Sequence, residues 1–573
     1  MAKRIPIGVD DFSELVSKKN HYLFVDKTLF IKEILDDGVR VSLIIRPRRW
    51  GKTLNMSMLR YFFAPEVEGR STQGLFDGLN IAKENNGAYL KYQGKNPVLF
   101  VSFKDIKKDS WERFLEESYT LMTSLYIEHE AILLSSDRLL DSQKNIYRKI
   151  INKTANQSEL ENALKFLSGC LEQHYDQKVI ILIDEYDTPL NIAYEKDYFE
   201  QAVDFFKSLL GSALKGNNAL EKGIMTGILR LSKNKMLSDL NNLIVYSMMD
   251  KPYSHYFGFS ETELKQLFSE NSVPCDLPTL QKWYNGYRSG DLMGIYNPWS
   301  ILSCIQNKGE LRDYWIKTGD EAILGTVFIE SSSEVKEQIN RLMAGNSIES
   351  VIDDYVSFDQ IKEGREEVLW SLLWALGYLK TVDASKPSGL FKGYRLKIPN
   401  YEVETSYRKV FIEFIRALKN ADQYEHCLGH LIKGEVESFA LALKDFMHRN
   451  VSYFDCSSES NYHMLLLGMS AYLKETHSIC SNLEQGLGRP DLLLMPTDIR
   501  NPLGIILEFK RSETGKSANY YKALAITGLE QINKQHYDIN LKAQSHIKQI
   551  LKLCLVFYGK EFVYQFLIEP AVH

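Results

Sequence analysis

The chain has 573 residues, too many for one hydrophobic core, so about two to four domains are expected. Its 44% hydrophobic and 25% charged residues are those of a folded globular protein, and a net charge of -5 with a pI near 6.2 excludes a globally basic nucleic-acid binder, so any such contact needs a local basic face. Seven scattered cysteines without a Cys-x-x-Cys pair exclude a disulfide framework and point to free thiols in a reducing compartment.

The N-terminus, Met1-Ala-Lys-Arg-Ile-Pro6, lacks an apolar signal core, and no apolar run reaches the length of a membrane span. The expected address is the cytoplasm, with no membrane partner. Val41–Ile45 is apolar and β-branched enough for a buried strand, and after the turn Leu54, Met58, Leu59, Phe62 and Phe63 recur at helical spacing. Between them stands Arg46-Pro-Arg-Arg-Trp-Gly-Lys-Thr53. Strand, tight turn and Gly-Lys-Thr opening a helix form the geometry in which backbone N–H groups converge on a phosphate. Lys52 can reach terminal phosphates and the Thr53 hydroxyl can hold Mg2+. The nucleotide-binding candidates here are Arg46, Arg48, Arg49, Gly51, Lys52 and Thr53. Arg46 occupies the place of the usual first glycine, and a basic surface turn is the competing reading.

Further strand-like runs follow at 97–103, 178–184, 223–229 and 243–248, alternating with helical stretches as in a parallel α/β sheet. The polar, helical segment 107–175 reads as an insertion or lid. Val179-Ile-Ile-Leu-Ile-Asp184-Glu185 is an apolar run ending in two acids. A buried strand there delivers Asp184 beside Thr53 as a partner to Mg2+, and Glu185 becomes the group that polarises the attacking water. An ordinary core strand with a solvated acidic end is the alternative. At the exit of the next strand Thr226 and Arg230 are candidates for the γ-phosphate, with Arg230 capping a sheet edge as the other reading. The aromatic, turn-rich segment 283–300 suits packing against the domain better than base stacking. From about 310 to 400 the pattern is mainly helical, ending in a β-like piece before Pro399, as in a small helical or winged-helix-like connector.

In the last third, Gly488-Arg-Pro-Asp491-Leu-Leu-Leu-Met495 and Gly504-Ile-Ile-Leu-Glu508-Phe-Lys510 read as two strands of a hairpin. Glu508 and Lys510 are two apart and leave the same face, where Asp491 can meet them. Two carboxylates and an ammonium on one point can hold a divalent cation and a water, the metal lowering the water's pKa and the lysine orienting it. Oxygen ligands without His or Cys suit Mg2+ or Mn2+ better than zinc. Glu459 can supply a further carboxylate, and Gln531 and Tyr537 lie on a later helical segment. An exposed cross-strand Glu508–Lys510 pair is the bland alternative.

With both constellations in place, the chain resembles a prokaryotic family that pairs an AAA-ATPase-like domain with a C-terminal PD-(D/E)xK nuclease-superfamily domain. The likeness runs through Pro6–Phe12, Phe24–Thr28, Arg46–Thr53, Ile183–Asp187, Trp283–Tyr287, Tyr296–Ser300 and Ile398–Glu402, then Glu459–His463, Gly488–Asp491, Glu508–Lys510 and Glu530–Ile532. Arg46–Thr53 is similar to that family's own form of the loop. The resemblance implies a P-loop parallel-sheet ATPase domain over 1–310, a helical or winged-helix-like connector over 311–405, and a restriction-endonuclease-like α/β domain over 406–573. It implies Asp491, Glu508 and Lys510 as a catalytic core supported by Glu459, while Glu185 stands as the catalytic candidate read from its own strand end. The expected cofactors are ATP and Mg2+, or Mn2+ at the nuclease site; the expected partner is nucleic acid, DNA foremost, with a homo-oligomer left open. The rival expectation is a nucleotide-switched signalling or interaction protein whose nuclease fold binds without cleaving.

Overall fold

The computed structural model describes residues 3–231, 240–271, 273–274, 276–315, 333–343, 345–353, 355–356, 365–384, 393–417, 421–450, 473, 476–480 and 490–571. Val41–Ile45 (β1) is buried at every position, as a strand covered on both faces must be. It is joined by Val98–Ser102 (β2), Val179–Asp184 (β3), Leu220–Gly227 (β4) and Leu243–Tyr246 (β5) in the order β2-β3-β4-β1-β5, with every pairing parallel. Each of the five apolar runs read from the sequence supplies one of these strands.

Because β4 lies between β1 and β3, the C-terminal ends of all three open on one edge. Ligands of open parallel sheets bind outside that edge, where the strand order reverses. The loop after β1 leads into the helix Lys52–Phe63 (α1), whose face toward the sheet buries Met56, Leu59 and Phe63. The segment expected as an insertion is helical, with Trp111–Ile127, Asp141–Ile151 and Ala163–Tyr175 as its longest pieces.

The chain divides into two compact units, 1–315 with 349–402, and 316–348 with 403–573. The connector expected over 311–405 is thus shared between them. Its part in the first unit carries the helix Glu366–Leu376 and the antiparallel strands Lys380–Ala384 and Gly393–Lys397.

The second unit is built on a mixed sheet of His477–Cys480 (β6), Leu492–Pro496 (β7), Leu503–Arg511 (β8), Gln549–Tyr558 (β9) and Glu561–Pro570 (β10), in chain order. Only β8 and β9 run parallel, and they are joined by a crossover containing the helix Ala518–Lys534 (α2). Leu493, Ile506, Ile532 and Ile550 fill the space between this helix and the sheet. Among the described residues, Cys170, Cys304, Cys427 and Cys554 are buried free thiols, and no helix is long and apolar enough to cross a membrane.

Candidate functional sites

The loop after β1 is shaped by two left-handed residues, Arg49 at φ 64° and Gly51 at φ 80°. Gly51 caps α1, and the space around its missing Cβ is open, so backbone conformation and not crowding requires glycine there. Lys52 is buried and donates to the carbonyls of Arg46 at 3.0 Å and Pro47 at 2.9 Å, which holds its ammonium inside the curve of the loop. Burial lowers its pKa, opposed by the negative charges of Glu185, Asp187 and Asp184.

Asp184 ends β3 completely buried, and it accepts a 2.8 Å hydrogen bond from the Thr53 hydroxyl and a second from Thr226. Burial raises its pKa, while the two hydroxyls and Lys52 favour the ionised form. Glu185 follows at φ 51°, an uncommon conformation for a residue with a Cβ, and lines the cavity beside the loop. Asp187, which sequence reasoning did not single out, accepts the N–H groups of Ile228 and Leu229 at 2.9 and 2.8 Å. It thereby fixes the chain where it leaves β4; the motif Ile183–Asp187 was the available signal.

Other predicted residues lie differently. Arg46 turns into the core beneath the loop: it is fully buried, donates to the carbonyls of Ile45 and Tyr246 at 2.7 and 3.0 Å, and stacks 5.1 Å from the Phe257 ring centre. Desolvation pulls its pKa down to about 10. Arg48 is held by its backbone, its carbonyl accepting from Asn297 and Trp315. Arg49 places its guanidinium 3.7 Å from the centre of the Trp299 ring. Arg230 begins a two-residue bridge paired with Tyr355–Val356, beyond the end of β4.

The cavity itself has a volume of about 320 Å3 and is bounded by Arg49–Asn55, Glu185, the N-terminal segment Pro6–Asp10, and a wall including Phe259, Trp299 and Leu302. One end is therefore cationic and rich in N–H donors, and the rest is apolar and aromatic. That is the polarity of a phosphate joined to a flat heterocycle.

In the second unit the predicted hairpin forms with Leu492 opposite Leu507. Asp491 stands just before β7 and accepts the Phe509 N–H at 2.7 Å, while Lys510 donates to Glu508 at 2.8 Å. Asp491, Glu508 and Lys510 are thus gathered on one strand end, with Glu508 almost wholly buried. The two carboxylates, Asp491 and Glu508, offer oxygen donors only and suit a hard divalent cation. Glu459 lies outside the described residues, and among the described residues no group of three or more His, Cys, Asp or Glu stands together. Gln531 donates to the Tyr537 hydroxyl at 3.3 Å. Sequence reasoning missed Gly528 of α2: a Cβ there would lie 2.2 Å from Cys554 Sγ and 3.8 Å from Glu508 Cγ. The helix passes directly over the catalytic candidate, and only glycine allows it.

Comparison with known proteins agrees with both folds. Residues 6–237 match the family described as a predicted AAA-ATPase, and residues 457–566 match the PD-(D/E)XK nuclease superfamily. The chain therefore joins an AAA-ATPase-like domain to a PD-(D/E)XK nuclease-superfamily domain. It is similar to a protein of Azotobacter chroococcum mcd 1 named "Uncharacterized protein in vnfD 5'region", with 26% identity over 416 residues, covering 72% of this chain and 70% of that relative.

Proposed function

We propose that the protein binds and hydrolyses ATP in its first unit and cleaves nucleic-acid phosphodiester bonds, DNA foremost, in its second. Lys52 and the N-terminus of α1 face the terminal phosphates, and the cavity walls hold the nucleoside. Thr53 and Asp184 are the residues to hold Mg2+, and Glu185 positions the attacking water. Arg49 and Arg230 add positive charge at the phosphates, while Arg46 and the backbone of Arg48 support the loop.

In the second unit Asp491 and Glu508 are the residues to hold Mg2+ or Mn2+, with Glu459 as a further carboxylate. When bound, the metal lowers the pKa of water and neutralises charge on the scissile phosphate. Lys510 orients that water and stabilises the negative charge that develops. The observation that carries the reading is the contact of Lys510 with Glu508 at 2.8 Å beside an Asp491 anchored on the same strand. A purely structural surface pair has no need of a buried Glu508 with an acid of the next strand beside it.

The test is incubation of the full-length protein with plasmid, linear and single-stranded DNA and with RNA, each with and without Mg2+, Mn2+ and ATP. Cleavage of DNA that requires a divalent ion is the expected result. Intact nucleic acid under every condition contradicts the nuclease reading and favours a module that binds without cleaving.

A further inference from the structure

Three sequence motifs, Trp283–Tyr287, Tyr296–Ser300 and Ile398–Glu402, come together around the phosphate loop, and only Tyr296–Ser300 also reaches the cavity, through Pro298 and Trp299. Tyr287 packs edge-on against Trp50, with ring centres 5.1 Å apart. Trp299 lies under the Arg49 guanidinium at 3.7 Å. The Arg48 carbonyl accepts from the Asn297 amide at 3.4 Å and from the Trp315 indole at 3.3 Å. Pro47 packs on Gly377, where a Cβ would stand 3.3 Å away. Each residue from Pro47 to Trp50 is therefore gripped by these segments, of which Trp299 is also a wall of the nucleotide cavity.

Glu402 fastens this grip. One of its oxygens accepts from the Ser300 hydroxyl at 2.7 Å, and the other accepts the Trp315 backbone N–H at 2.8 Å. The side chain is 2% exposed, a setting in which a carboxyl is costly and an apolar residue would pack more readily. Both oxygens are spent on the two segments that touch Arg48 and Arg49. Trp315 and Glu402 are also the residues at which the chain passes from the first unit into the second.

We infer that Glu402 is a positioning residue for the phosphate loop, holding Arg48 and Arg49 through Trp315 and Ser300 in the form that binds nucleotide. This rests on ATP being the ligand of that loop. A side chain that only stabilised the fold would change melting without changing the affinity of the folded protein. A positioning residue changes affinity, and an uncharged isostere restores it: Gln at 402 accepts from the Trp315 N–H and donates to Ser300.

The experiment is calorimetric titration of full-length protein with ATP and Mg2+, well below the melting temperature, for wild type, Glu402→Ala, Glu402→Gln, Trp315→Phe and Lys52→Ala. The expected result is a Kd at least tenfold weaker for Glu402→Ala, about threefold weaker for Trp315→Phe, and within threefold of wild type for Glu402→Gln. If Glu402→Ala does not fold, Trp315→Phe decides, because it takes the indole N–H, with part of the ring, from the Arg48 carbonyl while the Trp315 backbone N–H on Glu402 is kept. Wild-type affinity in the folded Glu402→Ala variant, with binding lost in Lys52→Ala, overturns this inference alone. Failure of wild type to bind ATP overturns it together with the ATP reading.

Discussion

Thr53 and Asp184, 131 positions apart in the chain, meet through a 2.8 Å hydrogen bond at the edge of the parallel sheet. The bond joins the first turn of α1 to the end of β3 across the end of β4, whose Thr226 donates to the same carboxylate. One acidic side chain thus registers three elements, and Lys52 stands within range of its charge.

Replacement of Lys52 by Ala removes the ammonium held inside the loop. ATP affinity of the folded variant should fall at least tenfold, and the melting temperature should fall as well, because the carbonyls of Arg46 and Pro47 lose their donor. Titration with ATP and a thermal melt of the same sample check this. Unchanged affinity refutes the phosphate-loop assignment.

Glu185→Gln keeps the shape of the residue and removes its basicity. Nucleotide affinity should remain within threefold, and hydrolysis should slow by roughly 10² or more, the usual size of a general-base contribution. A steady-state ATPase assay beside the binding curve separates the two effects. Equal hydrolysis rates in variant and wild type assign the water-positioning role elsewhere.

Burial pushes the Glu402 carboxyl up to about 7, against hydrogen bonds from Trp315 and Ser300 and the charge of Arg49, which favour ionisation. The native state therefore binds this proton more tightly than the unfolded chain, whose carboxyl titrates near 4.5. Its stabilising effect is full below that value and is lost as pH rises toward 7, by at most about 3 kcal/mol. Glu402→Gln has no proton to lose. Denaturant midpoints at pH 5 and pH 8 should differ less for the variant than for wild type; equal differences contradict the assignment.

Gly528→Ala should destabilise the second unit by about 1–3 kcal/mol, the usual range for overpacking, because its Cβ would collide with Cys554. Adding Cys554→Ala should restore part of that loss. Denaturation of both variants decides, and a neutral Gly528→Ala would mean that α2 sits farther from the sheet.

The strands of the first sheet were legible as short apolar runs, and in β1 and β3 because parallel strands buried on both faces read so, although the edge strand β5 leaves Ile244 exposed. Glu508 and Lys510 were legible through the two-residue period of a strand, which fixes their common face whatever surrounds them. Side-chain direction in a loop has no such period. The sequence therefore placed Arg46 in the phosphate loop without revealing that its guanidinium turns into the core on the carbonyls of Ile45 and Tyr246. Asp187, Glu402 and Gly528 were hidden for a related reason: their partners are distant in sequence, and only the fold brings them together. The aromatics of 283–300 were expected to pack against the domain, and Tyr287 and Trp299 do so, on Trp50 and Arg49 of the loop.

The proposed metal-dependent cleavage site consists of Asp491, Glu508 and Lys510. It is tested most directly by a DNA cleavage time course beside Mn2+ titration for wild type, Asp491→Ala and Lys510→Ala. Asp491→Ala should lose both cleavage and metal affinity, whereas Lys510→Ala should lose roughly 10² or more in rate with metal affinity nearly unchanged. Undiminished cleavage in both variants would contradict it.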